Sequence, residues 1–364
     1  MQRKRCRSQI LGLLVALILL TACGASGGTG TAGTSPAGTT EATSAAGGTE
    51  AASPTTETTS AAAEATSTAG SAESTATTAE ATSAPEPAAA GSGETIKVGS
   101  KNFTESYILA EMYAKLLETN GFRVERKLRL GATPIAHQAL LNNEIDLYPE
   151  YTSTGLLTVL NLPQMSDRQQ IFDTVKREYE KQFQLTWLEP APFNNTQALA
   201  MTKQRAQELG IKTYTDLSQK AGNLAIGGPP EFLERPDGLP GLQEAYGGFR
   251  FRQTRQLDPG LRYQALLNGQ IDVVVAFGTD GQIGGYDLAV LQDNRNFYPP
   301  YQAAPVIRRD TLQAFPQIAD ILNKLAPTLD DTTMAKLNWM VEGPDKQEPA
   351  AVAQQFLTER GLIN

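Results

Sequence analysis

Catalysis has little to work with in this sequence. One histidine, His137, is the only side chain of its type, so a Ser-His-Asp arrangement would depend on it alone. It stands between Ala136 and Gln138 in a helical stretch, the setting of a structural residue. The only thiols are Cys6 and Cys23. No spacing matches a metal site, and no glycine motif would cradle a phosphate. Binding is better supplied. Tyr151, Phe232, Phe277 and Tyr301 fall in loops or at the ends of expected strands. Rings converging on a cleft suit a cation that cannot donate hydrogen bonds. Each π-face attracts it by about 0.5–2 kcal/mol, and such an ion gives up little hydration. Lys101, Thr154 and Arg235 would add a pole for a carboxylate, with arginine as the bidentate donor.

Two of these rings end the two copies of one stretch. Residues 139–155 read ALLNNEIDLYPEYTSTG, and residues 265–281, 126 positions later, read ALLNGQIDVVVAFGTDG. Each copy predicts a helix ending at Asn142 or Asn268, a turn, and a strand begun by Ile145-Asp146-Leu147 or Ile271-Asp272-Val273. Tyr151 or Phe277 closes the strand, and a small polar turn follows. Ligands of open α/β sheets sit beyond the carboxyl ends of strands. Two such ends predict two similar lobes facing a shared cleft.

The rest of the chain alternates strand and helix. Thr95–Gly99 is an expected strand, with a helix after it capped by Asn102 and Glu105 as a capping box. The turn between them puts Lys101 near free backbone N–H groups, a setting for an anion. Val124–Leu130 is the next strand, and Thr133-Pro134 opens a helix. Pro149 predicts that strand pairing stops there. A helix over 166–183 turns Ile171, Phe172, Val175 and Tyr179 inward. Two proline-containing stretches, 190–199 and 297–301, read as crossings between lobes. Residues 229–236 read as a loop, and Asp258-Pro259 as the cap of the helix entering the second copy. From Ala304 a strand leads to helices over 315–325, 331–341 and 349–360.

The first 22 residues read as a leader outside the fold. Arg3, Lys4, Arg5 and Arg7 precede an apolar run too short to span a bilayer comfortably, ending in Leu20-Thr21-Ala22-Cys23. Small residues before a cysteine resemble the lipobox of bacterial lipoproteins, in which the cysteine is acylated. Residues 24–93 contain only Gly, Ala, Ser, Thr, Glu and Pro, so nothing there offsets the entropy of ordering. Residues 23–94 are therefore an expected tether, with a random-coil reach on the order of 45 Å. The formal net charge is −8. Losing the four leader cations leaves about −12, a poor match for nucleic acid or anionic lipid.

The motifs Gly99-Ser-Lys-Asn-Phe-Thr-Glu105, Ile145-Asp-Leu-Tyr-Pro-Glu-Tyr-Thr-Ser-Thr-Gly155, Phe193-Asn-Asn-Thr196, Phe277-Gly-Thr-Asp-Gly281 and Pro299-Pro-Tyr301 occur in this order. They resemble the glycine betaine/carnitine/choline-binding lipoproteins of osmoprotectant ABC importers. The resemblance implies an α/β, class II periplasmic-binding-protein fold with its ligand cleft between two lobes. One lobe would hold 95–197 and 302–364, the other 198–301. It implies a monomeric, extracytoplasmic binding protein without enzymatic activity, cofactor or metal. Its partners would be a permease, an ATPase and, through Cys23, the cell membrane. By the same resemblance Tyr151 and Tyr301 match cage tyrosines, and Lys101 and Thr154 match a carboxylate-holding pair. Phe232 and Arg235 match a closing loop, and Asn195 a hydrogen-bonding position. Gln197 and Phe277 stand where the family has cage tyrosines. Glycine betaine or a related compatible solute is the implied ligand. Choline, carnitine, another polar osmolyte, or a sensor domain on the same fold are the alternatives.

Overall fold

A computed structural model describes residues 95–364; the leader, Cys23 and the tether lie outside the described residues. Ten strands among the described residues form two sheets. The first contains β1 (Thr95–Gly99), β2 (Arg123–Lys127), β3 (Leu147–Tyr151), β4 (Leu185–Trp187) and, after a long excursion, β10 (Ala303–Arg308). Their order is β2-β1-β3-β10-β4. The second contains β5 (Gln197–Thr202), β6 (Ala225–Gly228), β7 (Gln253–Gln256), β8 (Val273–Phe277) and β9 (Leu288–Val290), ordered β7-β6-β8-β5-β9. Both sheets follow one plan. Three strands run parallel, and a fourth, β10 or β5, arrives from the other sheet and pairs antiparallel on both sides. This is the two-lobed, class II α/β arrangement. Gln197, counted with the first lobe from sequence, is the first residue of β5 in the second sheet.

The repeat explains why the sheets match. In each copy the strand proper starts two residues later than expected, at Leu147 and Val273, because the aspartate before it does a separate job. Asp146 accepts from the Lys97 amide at 2.7 Å through its carboxylate, and its own amide donates to Lys97 O at 2.8 Å. Asp272 treats Ala225 the same way, at 2.9 and 2.8 Å. A side chain thus completes the ladder to the parallel neighbour where the backbone has not yet come alongside. Ile145 and Ile271 are buried under strand-end glycines. A Cβ on Gly99 would meet Ile145 Cδ1 at 2.6 Å, and one on Gly227 would meet Ile271 Cδ1 at 2.7 Å.

Several local expectations are corrected. Pairing does not stop at Pro149: β3 runs to Tyr151 beside β10, with Pro149 opposite Pro305. Two facing prolines form a non-hydrogen-bonded pair, whose N–H positions point away from each other, so neither missing donor breaks this ladder. The capping box is absent. The helix Thr104–Thr119 is capped by Phe103 with no side-chain bond, and Glu105 turns inward instead. Asp258 does not cap the helix Arg262–Leu267; Leu261 does, and Asp258 contributes a backbone oxygen to the preceding turn at 2.9 Å. Residues Pro230–Glu234 form a short helix inside the expected loop, with proline in its first turn, where no N–H is needed. The helix Arg168–Phe183 buries Ile171, Phe172, Val175 and Tyr179 as its periodicity predicts. The closing helices pack on the first sheet, with Met334, Leu337, Val352 and Phe356 in one core with Ile108, Met112 and Leu116. No helix among the described residues is long and apolar enough to cross a membrane.

Candidate ligand-binding site

Beyond the carboxyl ends of β1, β3, β6 and β8 lies a cavity of about 120 Å³, bordered by both sheets and both crossings. One water needs roughly 10–15 Å³ by the same kind of measure, so there is room for a small organic solute. All nine side chains singled out from sequence border it. Most are deeply buried: Lys101, Tyr151, Thr154, Asn195, Gln197, Phe232 and Tyr301 are each below a tenth exposed. His137 is elsewhere. It sits edge-on to Tyr179 and Phe183, at 5.6 and 4.9 Å between centroids, and burial pushes its imidazole below the ordinary value.

On the first-lobe side, the loop after β1 delivers Lys101. Its Nζ donates to Glu150 Oε1 at 2.6 Å and to Thr133 Oγ1 at 3.3 Å, and lies 4.8 Å from the centre of the Tyr151 ring. Glu150, wholly buried in β3, also accepts from Tyr148 Oη and the Tyr151 amide. The expected free cation is therefore already matched by a carboxylate that sequence reading passed over. Burial pushes the Lys101 ammonium below its usual range against the pull of Glu150. Thr154, at the end of the short helix Thr152–Thr154 that follows β3, is buried and also borders the cavity.

The second-lobe side repeats this economy. Arg235 donates through Nε to Asp237 Oδ1 at 2.7 Å and through a terminal nitrogen to Oδ2. Tyr301 Oη also donates to Asp237 Oδ2. Gln197 Nε2 donates to the same oxygen at 2.9 Å and to Asp237 O at 3.0 Å. Gln197 and Phe277 are direct partners in the β5–β8 ladder. The Gln197 NH₂ is committed to Asp237, which leaves its carbonyl as the polar group for the cavity. The loop carrying Arg235 and Asp237 closes only because residue 238 is glycine: a Cβ there would lie 2.1 Å from Phe232 O. Phe277 has the Arg262 guanidinium 5.1 Å from its ring centre, and Arg262 is paired with Asp280 Oδ2 at 2.6 Å.

Between the two sides sits Glu105, 3% exposed. Tyr151 Oη and Asn195 Nδ2 donate to its Oε1, each at 2.7 Å. Asn338 Nδ2 donates to its Oε2 at 2.9 Å, as does Thr279 Oγ1. Thr279 belongs to the turn after β8, so one carboxylate ties both lobes, a crossing and a C-terminal helix. Burial pushes Glu105 up, while its four hydrogen bonds pull it back.

Each cavity cation thus has its own carboxylate: Lys101 has Glu150, Arg235 has Asp237 and Arg262 has Asp280. Glu105, Glu231 and Glu342 also border the cavity, and none of the three has an ion-pair partner among the described residues. The lining thus combines aromatic faces with carboxyl groups that have no cation beside them. Among the described residues no group of three or more His, Cys, Asp or Glu could hold a metal. Sequence reading missed Glu105, Glu150, Asp237, Arg262 and Asn338. Only Glu150 carried a signal, lying between Tyr148 and Tyr151 in a strand buried on both faces. Asn338 reaches Glu105 from a helix 233 residues further along the chain, which no local pattern points to.

Over 279 residues the chain is 38% identical to an ergothioneine transport permease/ergothioneine binding protein of Helicobacter pylori, covering 76% of this chain and 49% of that protein. The chain therefore spans about half the length of that relative. It is 36% identical over 287 residues to a glycine-betaine-binding protein of Pseudomonas aeruginosa, covering 76% of this chain and 91% of the other. A solved glycine betaine/carnitine/choline ABC transporter structure superposes with a TM-score of 0.61 at 30% identity, over 74% of this chain and all of that one. Residues 94–359 match the substrate binding domain of ABC-type glycine betaine transport systems, and the chain belongs to that family of non-enzymatic binding proteins.

Proposed function

We propose that this domain captures glycine betaine, or a closely related compatible solute, in the cavity between its lobes and delivers it to the permease and ATPase of an ABC importer. The single observation that carries the ligand class is the charge balance of the lining. Aromatic rings surround a space whose cations are all paired and whose remaining carboxylates are not. Tyr151, Phe232, Phe277 and Tyr301 face the quaternary ammonium. Thr154, with the unspent donors of Lys101 and Arg235, holds the carboxylate, and Asn195 and Gln197 add polar contacts. Cys23 carries the lipid that holds the monomeric protein outside the cell membrane, and residues 23–94 form the tether. Lobe one comprises 95–196 and 302–364, and lobe two 197–301, with Gln197 the first residue of β5. Titration calorimetry with glycine betaine tests the assignment: saturable one-to-one binding supports it, and no heat at millimolar ligand removes it.

One observation favours a second reading. Asn195 and Asn338 border the cavity, and the side-chain oxygen of each is buried with no partner. A fully methylated ammonium has no N–H to offer them. A larger betaine with ring N–H groups has, and the Helicobacter pylori relative is named for such a compound, ergothioneine. Competition calorimetry with glycine betaine and ergothioneine decides between the two.

A further inference from the structure

Of the cations that border the cavity, Lys101, Arg235 and Arg262, only the last has a buried nitrogen with nothing to bond among the described residues. Arg262 is the first residue of the helix Arg262–Leu267 and is 3% exposed. One terminal nitrogen donates to Asp280 Oδ2 at 2.6 Å, while Nε is buried without an acceptor. Lys101 Nζ and Arg235 Nε both donate to carboxylates, at 2.6 and 2.7 Å. Asp280 Oδ2 also accepts from Tyr263 Oη at 2.5 Å and from the Phe277 amide at 2.8 Å. The guanidinium lies 5.0 Å from the centre of the Tyr263 ring and 5.1 Å from that of Phe277. Two rings and an aspartate thus hold it in place. This cation is no part of the duplicated plan: 126 positions earlier, Arg262 is matched by Ala136 and Asp280 by Thr154. A buried N–H without an acceptor is unfavourable to folding, and a ligand that accepts from it removes that cost on binding.

We propose that Arg262 is a specificity-determining residue. Its Nε donates to the acceptor end of the bound solute, so that the cavity takes zwitterions and rejects cations of similar shape that carry no acceptor. The inference rests on the solute reading above and adds to it a donor on the second lobe. A solute with a carboxylate satisfies the N–H. One without it fills the same space, shuts out water and leaves the N–H unpaired in the complex. Sites built around such a polar group discriminate strongly against the analogue that lacks its partner. Aromatic faces alone cannot do this, because they attract any alkylammonium. Asp280 completes the device: it neutralises the guanidinium, so Arg262 does not repel the ammonium end of the same ligand. What the arginine contributes is a directional hydrogen bond and not a free charge.

The test is titration calorimetry on the full chain with glycine betaine and with propyltrimethylammonium, which keeps the trimethylammonium head and has no acceptor. Arg262→Lys keeps a cation in the wall but has a methylene where Nε stood. It should lose roughly tenfold or more in betaine affinity and less than about twofold in alkylammonium affinity. Arg262→Gln should lose the betaine as well and, with Asp280 left without its cation, should gain the alkylammonium. Melting temperatures without ligand are read beside these, and if the glutamine variant melts early the lysine variant carries the comparison. The ratio of the two affinities is what a merely structural role would not move. A distorted cavity weakens both ligands alike, and that outcome overturns the proposal. So does a betaine affinity unchanged in Arg262→Lys, which would mean that water satisfies Nε. If the wild type gives no heat with glycine betaine, the betaine assignment falls by itself, and ergothioneine takes its place in the same comparison. A loss confined to ergothioneine then upholds Arg262, and no loss overturns it. A wild type that binds none of the three compounds removes both.

Discussion

Replacing Glu105 by glutamine keeps its shape and removes its charge, which isolates what the carboxylate does between the lobes. Four donors converge on it: Tyr151 Oη, Asn195 Nδ2, Asn338 Nδ2 and Thr279 Oγ1. A glutamine must turn its NH₂ toward one pair, and each pair holds one hydroxyl and one amide. The hydroxyl can rotate to accept, but the asparagine NH₂ cannot. One buried donor is left unpaired, at about 1–3 kcal/mol, and the surviving bonds lose their charge assistance. Against this, a neutral amide is easier to bury than a carboxylate. The net destabilisation is about 2–4 kcal/mol, and at roughly 2–4 °C per kcal/mol for a domain near this size the melting temperature falls on the order of 5–15 °C. Acidity sharpens the test. Burial raises Glu105 above its ordinary value of 4.5, so the native state holds this proton more tightly than the unfolded chain. A raised carboxyl contributes stability that is full below the unfolded value and is lost as pH rises through the native one. The gap between wild type and Glu105→Gln should therefore widen as pH falls from 7 toward 5. Calorimetric melts at the two pH values check this. A glutamine variant at least as stable as wild type at pH 7, with a gap indifferent to pH, would refute the reasoning.

Three further outcomes follow from the same structure. Tyr301→Phe keeps the ring but removes one donor from the buried Asp237, and should cost about 1.5–3 kcal/mol of stability in chemical denaturation; Tyr301→Ala should in addition weaken a quaternary ammonium ligand by about 1–2 kcal/mol in calorimetry. Asp146→Ala and Asp272→Ala each strand one strand-edge N–H, and should destabilise by similar amounts, about 1–3 kcal/mol each by urea unfolding, because the two geometries match. Cys23→Ser should release the protein from membranes or leave it unprocessed, read by fractionation and by the mass of the mature terminus.

The fold was legible because it is written twice. Helix ends at Asn142 and Asn268 and the aromatic strand ends at Tyr151 and Phe277 stand where the repeat predicts. What stayed hidden was set by partners far away in sequence. Glu105 looked like a cap because it lies three residues after Asn102, yet its partners are at 151, 195, 279 and 338. Sequence places the rings of Tyr151 and Tyr301 at the cleft without showing what their hydroxyls bond. Both hydroxyls are in fact spent on buried carboxylates, so these residues are structural as well as exposed to the cavity. Lys101 and Arg235 were read as unpaired charges because sequence shows a cation without showing that Glu150 or Asp237 is folded against it.

The two lobes agree where folding requires it and differ where the cavity is lined. Asp146 and Asp272, Ile145 and Ile271, and the glycines above the isoleucines do the same work in both halves. At cavity positions related by the repeat, the first lobe has Thr133, Tyr151 and Thr154, and the second has Pro259, Phe277 and Asp280. Glu150, which matches Lys101, is answered by Ala276, while Arg262 is answered by Ala136. A ligand with two equivalent ends could be held by two equivalent walls, and duplication supplies those without further change. Walls that differ at each of these positions suit a ligand whose ends differ. One side offers a neutralised ammonium, a hydroxyl and a phenol; the other offers aromatic rings, an amide carbonyl and a guanidinium tied to aspartate. A small molecule with a bulky cation at one end and a polar anion at the other uses both, and it can enter productively in only one orientation.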